Sequence, residues 1–293
     1  MQLSRLQVLR MAAGATLAGC NRTPSVKVAS KNFSEQLFLG ELYAQAMERS
    51  GLHVDRKFSL GSTQIAMEAM QRGGIDLYPE YTGTALLVIL KRPVEYDPKT
   101  VYQTVKQAFE TQYRMTWLKP SPFNNTQALG AMQETARRYD MRTLSDVGRA
   151  ATQLRLAVTA EFLNRPDGLP ALRRAYGGFN FKQIVQVDIG LRYQALIDKR
   201  ADVAVAFTTD GEIDQYQLVV FDDDKHAFPP YQAAPVVRDD ALQRFPGIAA
   251  ALDAVTPLLD EATIRSVNLA INGPDKREPA DVAHEFLQKH PLA

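Results

Sequence analysis

Residues 76–84 read Asp-Leu-Tyr-Pro-Glu-Tyr-Thr-Gly-Thr, and residues 202–211 read Asp-Val-Ala-Val-Ala-Phe-Thr-Thr-Asp-Gly. In each stretch an aspartate precedes a short, largely apolar run, and the fifth residue after the aspartate is aromatic, Tyr81 or Phe207. Short apolar runs bounded by turn residues are typical of buried strands. The two stretches therefore predict equivalent strands in two similar lobes, although so short a pattern also recurs by chance.

Similar elements precede both stretches. A strand is predicted over 26–30, and Asn32 and Glu35 have the spacing of a capping box that starts the next helix. Another strand is predicted over 154–158, at nearly the same distance from its aspartate. The other predicted elements are a strand near 53–60, a helix from Ser62 or Thr63 to Met70, a strand over 75–78, a helix from Thr82, helices near 160–163 and 193–197, and a strand over 203–206. Alternating strands and helices predict an α/β fold, whose ligands bind at the carboxyl ends of the strands.

The composition sets wide bounds on function. The chain has 293 residues, of which 45% are hydrophobic, so it can bury a substantial core and is not a wholly disordered protein. This length suggests about two domains. A formal net charge of +1, without a cluster of Lys or Arg, argues against a nucleic-acid partner. The single cysteine excludes an intrachain disulfide framework and a cysteine-rich metal site.

Residues 1–20 have the pattern of a bacterial lipoprotein signal peptide. Arg5 and Arg10 precede a small, apolar run, and Leu-Ala-Gly-Cys at 17–20 resembles a lipobox that is cut before a lipidated Cys20. The alternative is a free cysteine in a disordered leader. Residues 21–25 are then a short tether, and no later apolar stretch approaches the about 18 residues of a membrane helix. We expect an extracytoplasmic lipoprotein, periplasmic or on the cell surface, anchored through Cys20.

No catalytic or metal-binding motif is recognisable. The four histidines lack short metal-ligand spacing, and the run 222–224 (three aspartates) has too few companion ligands for a calcium loop, so a solvated turn is favoured. Nucleophile-elbow and phosphate-binding glycine motifs are absent from the sequence. We therefore expect neither an enzyme nor a protein with a cofactor.

Several motifs resemble the osmoprotectant-binding proteins of ABC importers. They include Ser-Lys-Asn-Phe-Ser-Glu-Gln at 30–36, the stretch 76–84, Asn-Asn-Thr at 124–126, Glu-Phe-Leu-Asn-Arg at 161–165 with Asp-Gly at 167–168, Gly-Leu-Arg-Tyr at 190–193, Thr-Asp-Gly at 209–211 and Phe-Pro-Pro-Tyr at 228–231. This resemblance implies a type II periplasmic-binding-protein fold with two α/β lobes. It also implies a quaternary-amine ligand, such as glycine betaine, choline or carnitine, and a membrane permease as partner.

The resemblance implies a binding site made of an aromatic box and a carboxylate-binding group. Aromatic faces attract a quaternary ammonium through cation–π interactions. The box is expected at Tyr81, Tyr193 and Tyr231, with Phe207 as its least certain member, and the ligand carboxylate at Lys31, Thr84 and Arg165. The full predicted set is Lys31, Tyr81, Thr84, Asn125, Gln127, Arg165, Tyr193, Phe207 and Tyr231.

Each of these positions also has a purely structural explanation. Tyr81 and Phe207 can be core residues, Tyr193 can pack a helix, and Tyr231 can anchor a hinge. Arg165 can cap a helix carboxyl end, and Lys31 can be solvated.

One position departs from the family pattern. Relatives often carry an aromatic residue after Asn-Asn-Thr, and here Gln127 takes its place. Glutamine has no π face, so one wall of the box is missing or is replaced by an amide dipole. The affinity for glycine betaine is then modest, or the preferred ligand is larger or is not quaternary.

The expected mechanism is closure of two lobes on one ligand by hinge bending, as in periplasmic binding proteins. Proline-containing segments near 119–122 and 225–231 are the expected crossings. Lobe I is then 26–119 plus 229–293, and lobe II is 120–228, in a monomer that docks on the permease. The alternatives are a binding protein of this fold for an amino acid or a non-quaternary amine, and an enzyme or sensor domain on the same fold.

Overall fold

The computed structural model describes residues 23–291 and contains two five-stranded sheets. The predicted signal peptide and Cys20 lie outside the described residues, as do the first two residues of the predicted tether. The strands are β1 (Val26–Ala29), β2 (Val54–Lys57), β3 (Leu77–Tyr81), β4 (Met115–Trp117), β5 (Gln127–Ala131), β6 (Arg155–Val158), β7 (Gln183–Gln186), β8 (Val203–Phe207), β9 (Val219–Val220) and β10 (Ala233–Arg238).

Helices cover both sheets. They are α1 (Ser34–Arg49), α2 (Thr63–Gln71), α3 (Thr82–Thr84), α4 (Pro98–Tyr113), α5 (Gln133–Arg138), α6 (Leu144–Ala150), α7 (Ala160–Asn164), α8 (Leu169–Tyr176), α9 (Arg192–Ile197), α10 (Glu212–Gln215), α11 (Asp239–Arg244), α12 (Gly247–Val255), α13 (Glu261–Asn272) and α14 (Pro279–Lys289). A π-helical turn, Ala85–Ile89, extends α3, and short 3₁₀ turns lie at Ala151–Gln153, Ile189–Leu191 and Thr256–Leu258.

The two sheets have the same plan, as the repeated sequence pattern predicts. Lobe I has the order β2-β1-β3-β10-β4, and lobe II has the order β7-β6-β8-β5-β9. In each lobe the first three strands are parallel, and the fourth strand runs antiparallel to its neighbours. Strands β3 and β8 therefore occupy equivalent central positions. The expectation of two α/β lobes is confirmed.

The repeated aspartate fastens neighbouring strands in both lobes. Asp76 Oδ2 accepts a hydrogen bond from the backbone N–H of Lys27 (2.9 Å), at the start of β1. Asp202 Oδ2 accepts the corresponding bond from Arg155 (2.8 Å), at the start of β6. Each aspartate also faces a guanidinium, at 2.6 Å for Asp76 and 2.9 Å for Asp202. The repeated aspartate therefore has the same structural role in both lobes, which is to connect neighbouring strands.

The core of lobe I lies on both faces of its sheet. One face packs against α1 and the helices of the C-terminal third, and the other packs against α2 and α4. The largest fully buried side chains include Trp117, Tyr43, Tyr78, Phe38 and Phe109. Within the described residues, none of the helices is both long enough and apolar enough to cross a lipid bilayer.

The start of α1 differs from the sequence prediction. The capping box of Asn32 and Glu35 does not form, because α1 begins at Ser34 with Phe33 as its N-cap and without a side-chain cap. The Glu35 carboxylate is instead engaged by side chains from other parts of the chain. The predicted cap of α2 is confirmed, since the Ser62 hydroxyl accepts a hydrogen bond from the backbone N–H of Ile65 (3.5 Å).

Both central strands extend further toward their aromatic residue than predicted. The strand predicted over 75–78 is observed at Leu77–Tyr81, and the strand predicted over 203–206 continues to Phe207. Pro79 interrupts the apolar pattern but is tolerated, because it lies opposite Pro235 in the antiparallel pairing of β3 with β10. Each aromatic residue thus ends its strand.

Candidate ligand-binding cleft

Tyr81 closes β3 and leads directly into α3, and its ring is buried at 4% exposure. Its hydroxyl donates a hydrogen bond to Glu35 Oε1 (2.6 Å). The Lys31 ammonium lies 4.8 Å from the centre of the Tyr81 ring and 2.7 Å from Glu80 Oε1. Lys31 is therefore not a solvated surface residue: its charge is neutralised by Glu80 while it covers one face of Tyr81.

Tyr231 packs against the backbone that follows Tyr81. A Cβ added at Gly83 would lie 2.8 Å from two carbons of the Tyr231 ring and 2.6 Å from the Pro230 carbonyl oxygen. The glycine therefore permits this close approach. Thr84, the next residue, is also buried. Two segments link the sheets, the first linking segment at 118–126 and the second at 221–232. This contact brings the second linking segment against the end of β3.

Gln127, Asp167 and Tyr231 form one hydrogen-bonded group. The Gln127 amide Nε2 donates to Asp167 Oδ2 (3.0 Å), to the Asp167 carbonyl oxygen (3.0 Å) and to the Tyr231 hydroxyl (3.3 Å). The Tyr231 hydroxyl in turn donates to Asp167 Oδ2. Arg165 pairs with the same carboxylate in bidentate fashion, at 2.8 Å from Nε and 2.5 Å from Nη2. The Arg165 guanidinium is thus already occupied by Asp167, and Arg165 is also the C-cap residue of α7.

Tyr193 and Phe207 flank a second guanidinium. The centre of the Arg192 guanidinium lies 4.7 Å from the Tyr193 ring centre and 5.2 Å from that of Phe207. Asp210 Oδ2 accepts hydrogen bonds from Arg192 Nη2 (2.5 Å), the Tyr193 hydroxyl (2.5 Å) and the Phe207 backbone N–H (2.6 Å). The turn after β8 is therefore fixed by Asp210, and one face of each ring already meets a cation of the protein.

These groups meet at the carboxyl ends of β3 and β8, a region that we call the cleft. Gln127 lies directly opposite Phe207 in the β5–β8 pairing, which joins the group around Asp167 to the group around Asp210. The Asn125 amide donates to Glu35 Oε1 (2.8 Å), which joins the first linking segment to Tyr81. The contacts described above connect eight of the nine predicted residues around the cleft, and the ninth, Thr84, lies in α3 directly after Gly83. Their contact with a ligand stays a prediction.

The structure adds residues that the sequence did not single out as ligand-site candidates. Glu35, Gln36 and Asp167 belong to quoted motifs, but only their neighbours were selected. Gln36 Nε2 is buried without a hydrogen-bond partner, although Gln36 Oε1 accepts from the backbone N–H of Lys31 (3.2 Å). Asn268 of α13 donates to both Glu35 Oε2 (3.1 Å) and the Thr209 carbonyl oxygen (2.7 Å). No sequence motif surrounds Asn268, so only the fold reveals it.

Burial shifts the acid–base properties of the cleft. Burial raises the pKa of Glu35 above its ordinary value, and its hydrogen bonds only partly offset that effect. Burial also opposes ionisation of Asp167, but the hydrogen bond and charge of Arg165 outweigh it, so the pKa of Asp167 is lowered. The pKa values of Tyr81 and Tyr231 are raised by burial and by the carboxylates they contact. Both tyrosines therefore remain neutral at physiological pH.

Comparison with known proteins shows which protein family the chain resembles. A family model described as the substrate binding domain of the ABC-type glycine betaine transport system matches residues 24–289. The chain is 36% identical over 290 residues to the glycine-betaine-binding protein of Pseudomonas aeruginosa, covering 96% of this chain and 92% of that protein. It is 32% identical over 263 residues to an ergothioneine transport permease/ergothioneine binding protein of Helicobacter pylori, covering 89% of this chain and 47% of that protein.

A solved structure agrees with these matches. A crystal structure described as that of a glycine betaine/carnitine/choline ABC transporter has a TM-score of 0.81 at 31% identity, covering 91% of this chain and 98% of that chain. The resemblance and fold drawn from the sequence motifs are confirmed, and so is the expectation of a transport protein rather than an enzyme. The chain belongs to the family of substrate-binding domains of ABC-type glycine betaine transport systems.

Proposed function

We propose that the chain binds a quaternary-amine osmoprotectant, with glycine betaine as the first candidate, in the cleft between its lobes. One observation carries the proposal: Tyr81 and Phe207 end equivalent strands of the two sheets, and Tyr231 packs against Gly83 beside them. A quaternary ammonium has no N–H to donate, so charge and aromatic faces are its means of recognition. Each such contact contributes about 0.5–2 kcal/mol.

The carboxylate of the ligand would meet an amide donor without a partner in the protein and a neighbouring hydroxyl group. Gln36 Nε2 is buried and without a partner, and Thr84 lies just beyond Gly83. Arg165 and Lys31, the two cations expected from the sequence, each hold a carboxylate of the protein. We therefore propose Thr84 and Gln36 as the direct donors, with Arg165 and Lys31 as positioning residues.

A titration of the whole chain tests this proposal. We expect a thermal shift and calorimetric binding with glycine betaine, choline, carnitine or proline betaine, and weaker responses with ordinary amino acids. A ligand at 100 times its dissociation constant stabilises a protein by about 2.7 kcal/mol. Phe207→Ala is expected to weaken binding, whereas Tyr96→Ala, which removes an exposed tyrosine outside the groups described above, is the control. The absence of binding by any quaternary amine at millimolar concentration would refute the proposal.

Gln127 favours a second candidate, a solute of this general kind that carries N–H groups. Its Nε2 is held by Asp167 and Tyr231, which leaves Oε1 as the acceptor of this side chain. A ligand with a ring N–H beside its cationic group would use both features. The H. pylori relative is named for ergothioneine, so ergothioneine belongs in the same titration. Binding of ergothioneine at least tenfold tighter than glycine betaine would favour this candidate.

We propose further that closure of the lobes presents the chain to an ABC permease, as a monomer outside the cytoplasm. The match to a protein whose name includes both a permease and a binding function supports the partner. The lobes are proposed at 26–119 plus 229–293 and at 120–228. A lipid on Cys20 would anchor the chain, which the Leu-Ala-Gly-Cys sequence at 17–20 supports. Cys20→Ala is expected to release the protein from membranes in cell fractionation, and retention of the variant would contradict the anchor.

A further inference from the structure

Glu35 lies where three parts of the chain meet. It sits in the first turn of α1, is 3% exposed, and accepts hydrogen bonds from the Tyr81 hydroxyl (2.6 Å), Asn125 Nδ2 (2.8 Å) and Asn268 Nδ2 (3.1 Å). Tyr81 belongs to lobe I, Asn125 to the first linking segment, and Asn268 to α13. A carboxylate bonded to the Tyr81 hydroxyl, at the edge of the ring, is placed to act on a ligand bound beside that ring.

This carboxylate has no compensating cation. Among residues 23–291, no lysine, arginine or histidine nitrogen lies within 4.0 Å of it. Lys31, whose ammonium covers the neighbouring Tyr81 ring, is already paired with Glu80. Burying an unpaired charge is costly, and burial accordingly raises the pKa of Glu35. The ionised form therefore gains from any cation that enters the cleft.

The two amides around Glu35 are arranged for an ionised carboxylate. Asn125 and Asn268 both aim their Nδ2 groups at it, and the Oδ1 atom of each is buried without a partner. A protonated carboxyl group must donate its proton to an acceptor. Rotation of either amide by about 180° would supply that acceptor. The cluster therefore has two arrangements that differ by one proton.

Asn268 connects the protonation state of Glu35 to the contact between the lobes. Its Nδ2 group also donates to the carbonyl oxygen of Thr209, in the turn that follows β8 of lobe II (2.7 Å). If Asn268 turned its oxygen toward a protonated Glu35, this bond to lobe II would be lost. When Asn268 rather than Asn125 supplies the acceptor, the carboxylate charge and the bond between the lobes are lost together.

We propose that Glu35 selects for positive charge on the ligand and, through Asn268, couples that charge to contact between the lobes. The inference rests on the proposed function, because it assumes a cation in the cleft. When the cation binds, the carboxyl proton leaves to solvent, Asn268 bridges Glu35 and Thr209, and up to one proton is released per ligand. A ligand of the same shape that lacks the cationic centre has no such effect.

Isothermal titration with a matched pair of ligands tests the inference. Glycine betaine and tert-butylacetate share their shape and carboxylate, but carbon replaces the cationic nitrogen in the second. At about pH 7.5 we expect the wild-type chain to prefer glycine betaine, and Glu35→Gln to reduce that preference about tenfold, or ~1.4 kcal/mol. The wild-type affinity should rise as the pH is raised above about 4.3, the ordinary pKa of a glutamate, with proton release seen as a dependence on the ionisation enthalpy of the buffer. Glu35→Gln should show neither effect.

Two further variants separate charge selection from a structural role. Glu48→Gln removes an exposed carboxylate at the far end of α1 and should leave both ligands unaffected. Asn268→Ala should weaken glycine betaine binding while keeping the preference over tert-butylacetate, because the carboxylate remains. Equal losses for both ligands in Glu35→Gln, or an unchanged pH profile, would overturn the inference and leave the proposed function standing. A wild-type chain that binds no quaternary amine would instead refute the proposed function.

Discussion

Gln127 faces Phe207 across the antiparallel pair of β5 and β8, at the end of lobe II that borders the cleft. Phe207 offers an aromatic surface, whereas the Gln127 side-chain amide donates hydrogen bonds to Asp167 and Tyr231. One strand pair thus places an aromatic side chain opposite an amide side chain. If the ligand is quaternary, the identity of the residue at 127 should affect its affinity measurably.

Gln127→Tyr is expected to strengthen binding of glycine betaine. A tyrosine would restore an aromatic wall, and one cation–π contact of about 1–2 kcal/mol corresponds to a five- to thirtyfold change in affinity. Titration calorimetry of the variant against wild type measures this change, and Gln127→Leu, which adds neither a π face nor an amide, is the control. Unchanged or weaker binding by Gln127→Tyr would show that Gln127 is not the missing wall.

Arg165→Met is expected to destabilise the chain by about 3–5 kcal/mol, because it leaves the buried Asp167 carboxylate unpaired. The lowered pKa of Asp167 gives stability that is present above about pH 4 and lost as the pH falls through the lowered value. Chemical denaturation at several pH values should therefore show a smaller acid loss in the variant. Arg173→Met, on the exposed side of α8, should match wild type; equal stabilities for all three proteins would contradict the structural role of the pair.

Gly211→Ala is expected to lower the melting temperature by several degrees. A Cβ at this position would lie 2.3 Å from the backbone nitrogen of Leu269, so the turn after β8 and helix α13 would have to move apart. Overpacking of this kind costs about 1–3 kcal/mol, and each kcal/mol lowers the melting temperature by roughly 2–4 °C. Gly190→Ala is the matched control, since nothing lies within 4 Å of its added Cβ. Similar melting temperatures for both variants would contradict the close approach.

Glu35→Gln is expected to stabilise the ligand-free chain at neutral pH. Because the folded-state pKa of Glu35 is raised, its contribution to stability is fully present below the unfolded-state pKa of about 4.3 and is lost as the pH rises through the folded value. Glutamine avoids that loss, so the difference in unfolding free energy should grow from near zero at about pH 4 to a positive value at about pH 7.5. Melting curves at both pH values measure it, and a pH-independent difference would argue against a raised pKa.

The sequence was informative where a pattern is local. The strand-end positions of Tyr81 and Phe207 could be predicted because each follows an aspartate and a short apolar run. The pattern repeats because Asp76 and Asp202 accept equivalent backbone hydrogen bonds from the neighbouring strand. The capping box predicted from Asn32 and Glu35 does not form. The spacing of two residues cannot show that a carboxylate has better hydrogen-bond partners far away in the chain.

Contacts between distant segments account for the rest of the site. That Arg165 meets the ligand stays a prediction, but its pairing with Asp167, which is itself held by Gln127 and Tyr231, was not predicted. Asn268 was not predicted at all, because its neighbours carry no motif and its partners lie in both lobes. Such pairings depend on chain topology, which a linear pattern does not encode.

The position of β10 has a consequence for how the chain is made. Among residues 23–291, strand β4 pairs only with β10, and β10 is inserted between β3 and β4 after all of lobe II has been synthesised. All strands of the second sheet lie between Gln127 and Val220, so that sheet can assemble from continuous chain. Segments near each other in sequence pair faster than distant ones. Lobe II should therefore become resistant to protease first during synthesis. Strand β4 (Met115–Trp117) has no partner strand until β10 (Ala233–Arg238) has been synthesised.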